Sequence, residues 1–210
     1  MKVLLINGSP NEKGCTWRAL MEVSNTLQAE GIDTEMVRLG NVPVASCAGC
    51  GGCWKNNNRC VQGDAGGALV NEFLDKMETS DGMIVGSPVH FASPSGALIA
   101  LMDRVFMTGA DFRFKPAAAV TSARRAGTTA TLEVMNKYFL MSGMPVVPAN
   151  YCNMVHGHLP EEVEQDLEGL QIMRTLGKNM AYMLKCFDTA EKQKVLKPKK
   201  EAKVKTSYIR

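Results

Sequence analysis

Short apolar runs alternate with helix-length amphipathic segments through most of the chain, and no other feature limits its fold as strongly. Lys2–Ile6 is an apolar run that stops at Asn7-Gly8-Ser9-Pro10, the pattern of a buried strand feeding a loop. From Thr16 to Glu30, the apolar residues Leu20, Val23 and Leu27 recur at helical spacing until Gly31 ends the helix. Asp33–Leu39 alternates as a strand does, and a helix is expected over Ala65–Glu78. Further strands are expected at Gly82–Gly86, Ala117–Thr121 and Pro145–Pro148, with helices at Ser95–Met107, Thr128–Ser142 and Glu161–Cys186. The alternation predicts an α/β fold, a mostly parallel sheet with helices on both faces.

A chain of 210 residues suits one compact domain, since domains run to roughly 100–200 residues. That domain is expected over 1–189, with an insert at 42–64 rich in Cys, Gly and Asn, followed by a basic extension at 190–210. The extension holds eight Lys and Arg against Glu191 and Glu201, a balance of +6 in a chain of net charge +3, so the other 189 residues carry −3. A mildly acidic body argues against a nucleic-acid surface, and the extension reads as a solvated tail. Met1–Gly8 enters a loop too soon for the apolar region of a signal peptide, and no run approaches the ~20 apolar residues of a membrane span. With seven cysteines, the expectation is a reducing cytoplasm, where clustered thiols bind metal or do redox chemistry.

In a sheet of this kind, ligands bind beyond the carboxyl ends of the strands. The first such loop runs Gly8-Ser9-Pro10-Asn11-Glu12-Lys13-Gly14-Cys15-Thr16, and backbone N–H groups at the helix start with the Ser9 and Thr16 hydroxyls suit a phosphate. The Walker pattern is absent because Lys13 precedes Gly14, and Gly-x-Gly-x-x-Gly is absent too. The plain alternative is a polar strand–helix turn. Ser87–Ser93 follows the central strand: Pro88 stiffens it, Val89 and Phe91 give apolar surface, and His90 can hydrogen-bond or stack on a flat ring. Ser122–Gly127 lies at the same sheet edge, where Arg124 and Arg125 face either a ligand or solvent.

Cys47-x2-Cys50-x2-Cys53-x6-Cys60 is the sharpest local signal. Gly49, Gly51 and Gly52 let the backbone wrap closely, and four thiolates at such spacing are what a 4Fe–4S cluster requires. A Cys₄ zinc site and a set of free thiols are the rivals. Cys15, Cys152 and Cys186 read as small buried hydrophobes. Cys53-x5-Arg59 matches the spacing of cysteine-dependent phosphatases, but Cys60 follows the arginine within a cysteine cluster, which speaks against that reading. His156-Gly157-His158 is read as a loop before the last helix.

Taken in order, Gly8-Ser9-Pro10…Gly14-x-Thr16, Ser87-Pro88-Val89-His90-Phe91 and Met102-Asp103-Arg104 resemble the NADPH-dependent FMN reductase branch of flavodoxin-like proteins. The compact Cys47–Cys60 set is similar to that of the iron–sulfur flavoproteins within that branch. The resemblance covers about Met1 to Pro148. It implies a doubly wound five-stranded sheet of order 2-1-3-4-5, bound FMN, and a homodimer or homotetramer. It also implies that Ser9, Asn11, Cys15 and Thr16 hold the FMN phosphate, that Pro88, Val89, His90 and Phe91 line the isoalloxazine, and that Ser122, Arg124 and Gly127 meet its far edge. The family often has Tyr at His90, an aromatic-Gly pair at Phe91-Ala92, Asn at Cys15 and Lys at Ile99.

The function expected is an FMN-dependent oxidoreductase. It would move electrons from NAD(P)H or a reduced protein to a small acceptor such as a quinone or flavin, through a cluster on Cys47, Cys50, Cys53 and Cys60. No side chain is required as a catalytic acid or nucleophile, because the flavin carries the chemistry. The alternatives are an electron carrier between protein partners and an FMN-binding regulator.

Overall fold

A computed structural model describes residues 1–202, 204–206 and 208. Its elements run β1 (Lys2–Asn7), α1 (Cys15–Ala29), β2 (Asp33–Arg38), α2 (Ala65–Glu78), β3 (Gly82–Pro88), α3 (Gly96–Met107), β4 (Ala117–Ala123), α4 (Thr128–Met141), β5 (Met154–His156), α5 (Pro160–Val163) and α6 (Leu167–Lys192). The strands form one parallel sheet of order β2-β1-β3-β4-β5.

Successive side chains on a strand point to opposite faces, so both faces of an inner strand must be apolar for both to be covered. In β1, Leu4 and Ile6 pack with Val70 and Leu74 of α2, Leu101 and Val105 of α3, and Phe139 of α4. Val3 and Leu5 face the other way, onto Leu20, Val23 and Leu27 of α1 and Leu176 and Met180 of α6. β3 divides likewise, with Met83 and Val85 in the first layer and Ile84 in the second. These two layers carry the core, and the carboxyl ends of β1, β3 and β4 come together along one edge of the sheet.

Three expectations are corrected. The fifth strand is Met154–His156, not Pro145–Pro148, where Val146 makes only an isolated parallel bridge to Ala117. Pro145 and Pro148 lack the N–H that a continuing ladder needs. The last helix is broken in two: a single turn at Pro160–Val163, then α6, which runs on to Lys192. Asp166 makes the break by capping α6, accepting from the Gly169 N–H at 2.9 Å and from the His156 N–H at 2.7 Å. Cys152 and Cys186 are exposed, so neither is a buried hydrophobe. Between Leu39 and Asp64 the regular structure is one 3₁₀ turn, Gly52–Lys55. Among the described residues, no helix is long and apolar enough to cross a membrane.

Candidate functional site

The loop after β1 is shaped by the strand that precedes it. Asn7 accepts the Ser9 N–H at 3.1 Å and donates to the Glu12 carbonyl at 3.2 Å, while Ser9 Oγ accepts the Asn11 N–H at 3.1 Å. Those bonds fold the loop over the start of α1, where Gly14 is the N-cap and no side chain caps the helix. The first N–H groups of a helix need partners and carry partial positive charge, so an uncapped start is open to an anion.

That helix start borders a cavity of about 600 Å³ at the carboxyl edge of the sheet. Of the residues expected to meet a ligand, Ser9, Asn11, Cys15, Thr16, Pro88, Val89, His90, Ser122 and Arg124 line it. Thr16 and Ser122 share a hydrogen bond of 2.8 Å between their buried hydroxyls, tying the first loop to the end of β4. The Val89 N–H donates to the Ser122 carbonyl at 2.9 Å, tying the middle loop to the same point. Burial pushes the Cys15 thiol above its usual range, and its sulfur lies 3.4 Å from the Gly157 carbonyl.

Phe91 and Gly127 are not part of the lining. Phe91 and Ala92 form the tip of a tight turn closed by His90 and Ser93, and both have left-handed backbone, φ 50° and 57°. The turn carries the Phe91 side chain fully into solvent. Gly127 backs this turn from behind, at φ 98°, where a Cβ would sit 2.9 Å from Ala92 Cα and from Val89 Cγ1. Arg125 is exposed and also outside the lining.

Several lining residues were not foreseen. Gly157, His158, Leu159 and Pro160 come from the segment after β5, and Arg38 from the end of β2. Arg38 donates to the Pro10 carbonyl and to Glu12, each at 3.1 Å, bracing the first loop from outside. With Lys13 and Arg124, it gives the cavity a cationic rim.

The second site is the cysteine insert. Cys47, Cys50, Cys53 and Cys60 line one small cavity with Arg104, Met107 and Thr108 at the end of α3. Gly49 and Gly51 take left-handed backbone (φ 63° and 66°), which lets the chain turn between the first three cysteines. The Asn71 amide clamps the backbone of Cys60, accepting from its N–H at 2.8 Å and donating to its carbonyl at 3.0 Å. Trp54 Nε1 donates to the Met107 carbonyl at 3.1 Å and fastens the 3₁₀ turn to α3, though its ring is largely exposed. Among the described residues, no group of three His, Cys, Asp or Glu side chains converges on a point that would hold a single metal ion.

Arg104 closes the inner side of that cavity. Its Nη1 and Nη2 donate to Asp64 at 2.8 and 2.7 Å, and Nη2 also lies 3.2 Å from Cys60 Sγ. The guanidinium holds the Asp64 carboxyl down to about 2.

A parallel 2-1-3-4-5 sheet, with a cavity where the loops after β1, β3 and β4 meet, defines a flavodoxin-like α/β protein. Its likeness to an archaeal flavodoxin agrees, with a TM-score of 0.59 at 16% identity, covering 88% of this chain and 99% of the flavodoxin. Residues 1–159 match the NADPH-dependent FMN reductase family, and the chain belongs to that family. An iron-sulfur flavoprotein of Methanocaldococcus jannaschii is 35% identical over 194 residues, covering 88% of this chain and 98% of the relative. An iron-sulfur flavoprotein of Methanosarcina thermophila is 28% identical over 189 residues, covering 88% and 95%.

Proposed function

We propose that this chain is an FMN-dependent oxidoreductase that takes electrons from NAD(P)H or a reduced protein and delivers them to a small acceptor such as a quinone or flavin, with a 4Fe–4S cluster on Cys47, Cys50, Cys53 and Cys60. The observation that carries the reading is the pairing of two sites in one chain. The chain carries both a cation-rimmed cavity over an uncapped helix start and a separate cavity lined by four cysteines.

The first cavity suits FMN. The start of α1 with Ser9, Asn11 and Thr16 would hold the phosphate, where backbone N–H groups and the helix dipole favour an anion. Pro88, Val89 and His90 would lie along the ring on one side, with Ser122 and Arg124 at its edge. Leu159 and Pro160 supply apolar surface from the other side and keep water from it. Bound FMN would supply the acceptance of a hydride and the release of electrons singly or in pairs. The protein binds, orients and shields.

Four cysteines at this spacing around one cavity, in a chain 35% identical to an iron-sulfur flavoprotein, favour a cluster over a zinc ion. The buried Arg104 beside Cys60 would offset part of the negative charge that four thiolates bring together. Its Nε–H is buried without a protein partner among the described residues.

The test is iron, sulfide and FMN per chain with an absorption spectrum, on protein purified without oxygen. About four irons, four sulfides and one FMN are expected for a loaded cluster and flavin. FMN without iron would reduce the reading to a plain flavin reductase, and a colourless protein that binds no FMN would refute it. NAD(P)H oxidation with quinones and free flavin then separates a reductase from a carrier, which turns over neither. Sedimentation velocity tests the homodimer or homotetramer that belongs to the same reading.

A further inference from the structure

Arg104 is 2% exposed, in the last turn of α3. It points at the start of α2, the positive end of a helix dipole, which is a poor place for a cation. The chain makes room for it there. A Cβ on Gly66 would stand 2.6 Å from Nη1, so Gly66 opens the pocket that the guanidinium fills; at Gly67 a Cβ would first meet the Gln62 carbonyl at 1.9 Å and then Nη2 at 2.9 Å. Asp64 neutralises it, but Asp64 also caps α2 through the Gly67 N–H at 2.9 Å. A second Arg104 N–H is aimed at Cys60 Sγ, and Nη1 also reaches the Ala45 carbonyl at 3.4 Å. Holding the insert in place requires no charge in this position; Trp54 fastens it to α3 and Asn71 fastens it to α2 with neutral hydrogen bonds.

We propose that Arg104 is the residue that sets the reduction potential of the four-cysteine centre, through its N–H to Cys60 Sγ and its buried charge, with Asp64 as the opposing weight. The proposal rests on the cluster reading above. One-electron reduction of a cluster adds one negative charge and breaks no bond. A fixed donor and cation against a ligating sulfur therefore favour the reduced form over the oxidised form, and hydrogen bonds to sulfur and local charge are established determinants of such potentials. Losing Arg104 should drive the potential down. Neutralising Asp64 leaves the cation less compensated and should drive it up. Arg104→Lys keeps the charge and loses the fork, so it should fall between wild type and Arg104→Gln.

The experiment is a dithionite titration of the holoprotein under anaerobic conditions, followed by electron paramagnetic resonance of the reduced cluster. Wild type, Arg104→Gln, Arg104→Lys and Asp64→Asn are compared, with iron per chain and the flavin potentials measured in parallel. The expected result is opposite shifts for Arg104→Gln and Asp64→Asn at unchanged iron content, with the flavin potentials unmoved. Both variants fully loaded with potentials equal to wild type, or both shifted in one direction, would overturn the proposal while leaving the cluster reading intact. Should Arg104→Gln fail to hold iron, the sign of the Asp64→Asn shift decides alone: upward supports the proposal, unchanged or downward refutes it. Wild type without iron refutes the parent reading and this one together.

Discussion

Ala92→Gly should stabilise the protein, although the substitution removes a side chain and adds backbone freedom. Ala92 sits at φ 57° in the two-residue tip between His90 and Ser93, next to Phe91 at φ 50°. Such mirror-image turns normally carry Asn-Gly or Gly-Gly, because a Cβ crowds the neighbouring carbonyl at positive φ. That crowding costs an L-residue about 1–2 kcal/mol. Glycine relieves it but loses more unfolded-chain entropy, about 0.4–1 kcal/mol, leaving a net gain of about 0.5–1 kcal/mol. In a chain of this size, 1 kcal/mol moves the melting temperature by about 2–4 °C, so a rise of about 1–4 °C is expected. The assay is calorimetric melting of the unliganded protein, with Ala92→Val as the control. A β-branched side chain at the same φ should lower the melting temperature. A fall in Ala92→Gly, or a rise in Ala92→Val, would show that the turn is not held in the left-handed region.

Gly127→Ala acts on the same turn from behind. Its φ of 98° and the 2.9 Å approach of a Cβ to Ala92 and Val89 should cost about 1–3 kcal/mol in urea unfolding and weaken FMN binding. Thr16→Ala and Ser122→Ala each leave a buried hydroxyl without its partner and should cost about 1 kcal/mol. The double variant should cost clearly less than their sum, which a double-mutant cycle measures. Phe139→Ala empties a fully buried site in the layer under α4 and should cost about 3–5 kcal/mol by denaturant unfolding. Asp111 is held down to about 2 by Arg113, below its unfolded value of about 3.9, so the folded state resists its protonation. The stability from that pair is present above pH ~4 and is lost as pH falls toward 2. Arg113→Ala should flatten that limb of the acid-unfolding curve, followed by far-ultraviolet circular dichroism, and an unchanged curve would refute the assignment.

The inner strands β1, β3 and β4 were legible because burial on both faces writes them as unbroken apolar runs, as in Val3–Ile6 and Met83–Val85, and the edge strand β2 was legible by its alternation. The fifth was not. Pro145-Val-Val-Pro148 has the composition of a strand and the wrong hydrogen-bonding capacity, while Met154–His156 is too short to stand out. The break before α6 was written in Asp166 followed three residues later by Gly169, a cap signal hidden inside an apparently continuous helical stretch. At the first cavity, the residues on loops after strands were found because position in the chain predicts position on the sheet. Gly157–Pro160 and Arg38 reach the cavity through tertiary folding and leave no local mark. The cysteines announced themselves by spacing, but the guanidinium beside them did not, since Arg104 lies 40 positions from Asp64 and 44 from Cys60.

The divided fifth strand also decides how the sheet meets other molecules. The outer side of β4 is covered in two pieces, Val146 at Ala117 and Met154–His156 at Thr121–Ala123, with prolines on either side of the first. At the opposite margin, β2 carries Asp33, Glu35 and Arg38, with Glu35 engaged by Lys2 and Lys76. A long, flat, uncharged margin is a template for strand addition and aggregation, and neither side of this sheet offers one. Copies of the chain that associate are therefore expected to meet through side-chain surfaces rather than by adding strands at either margin.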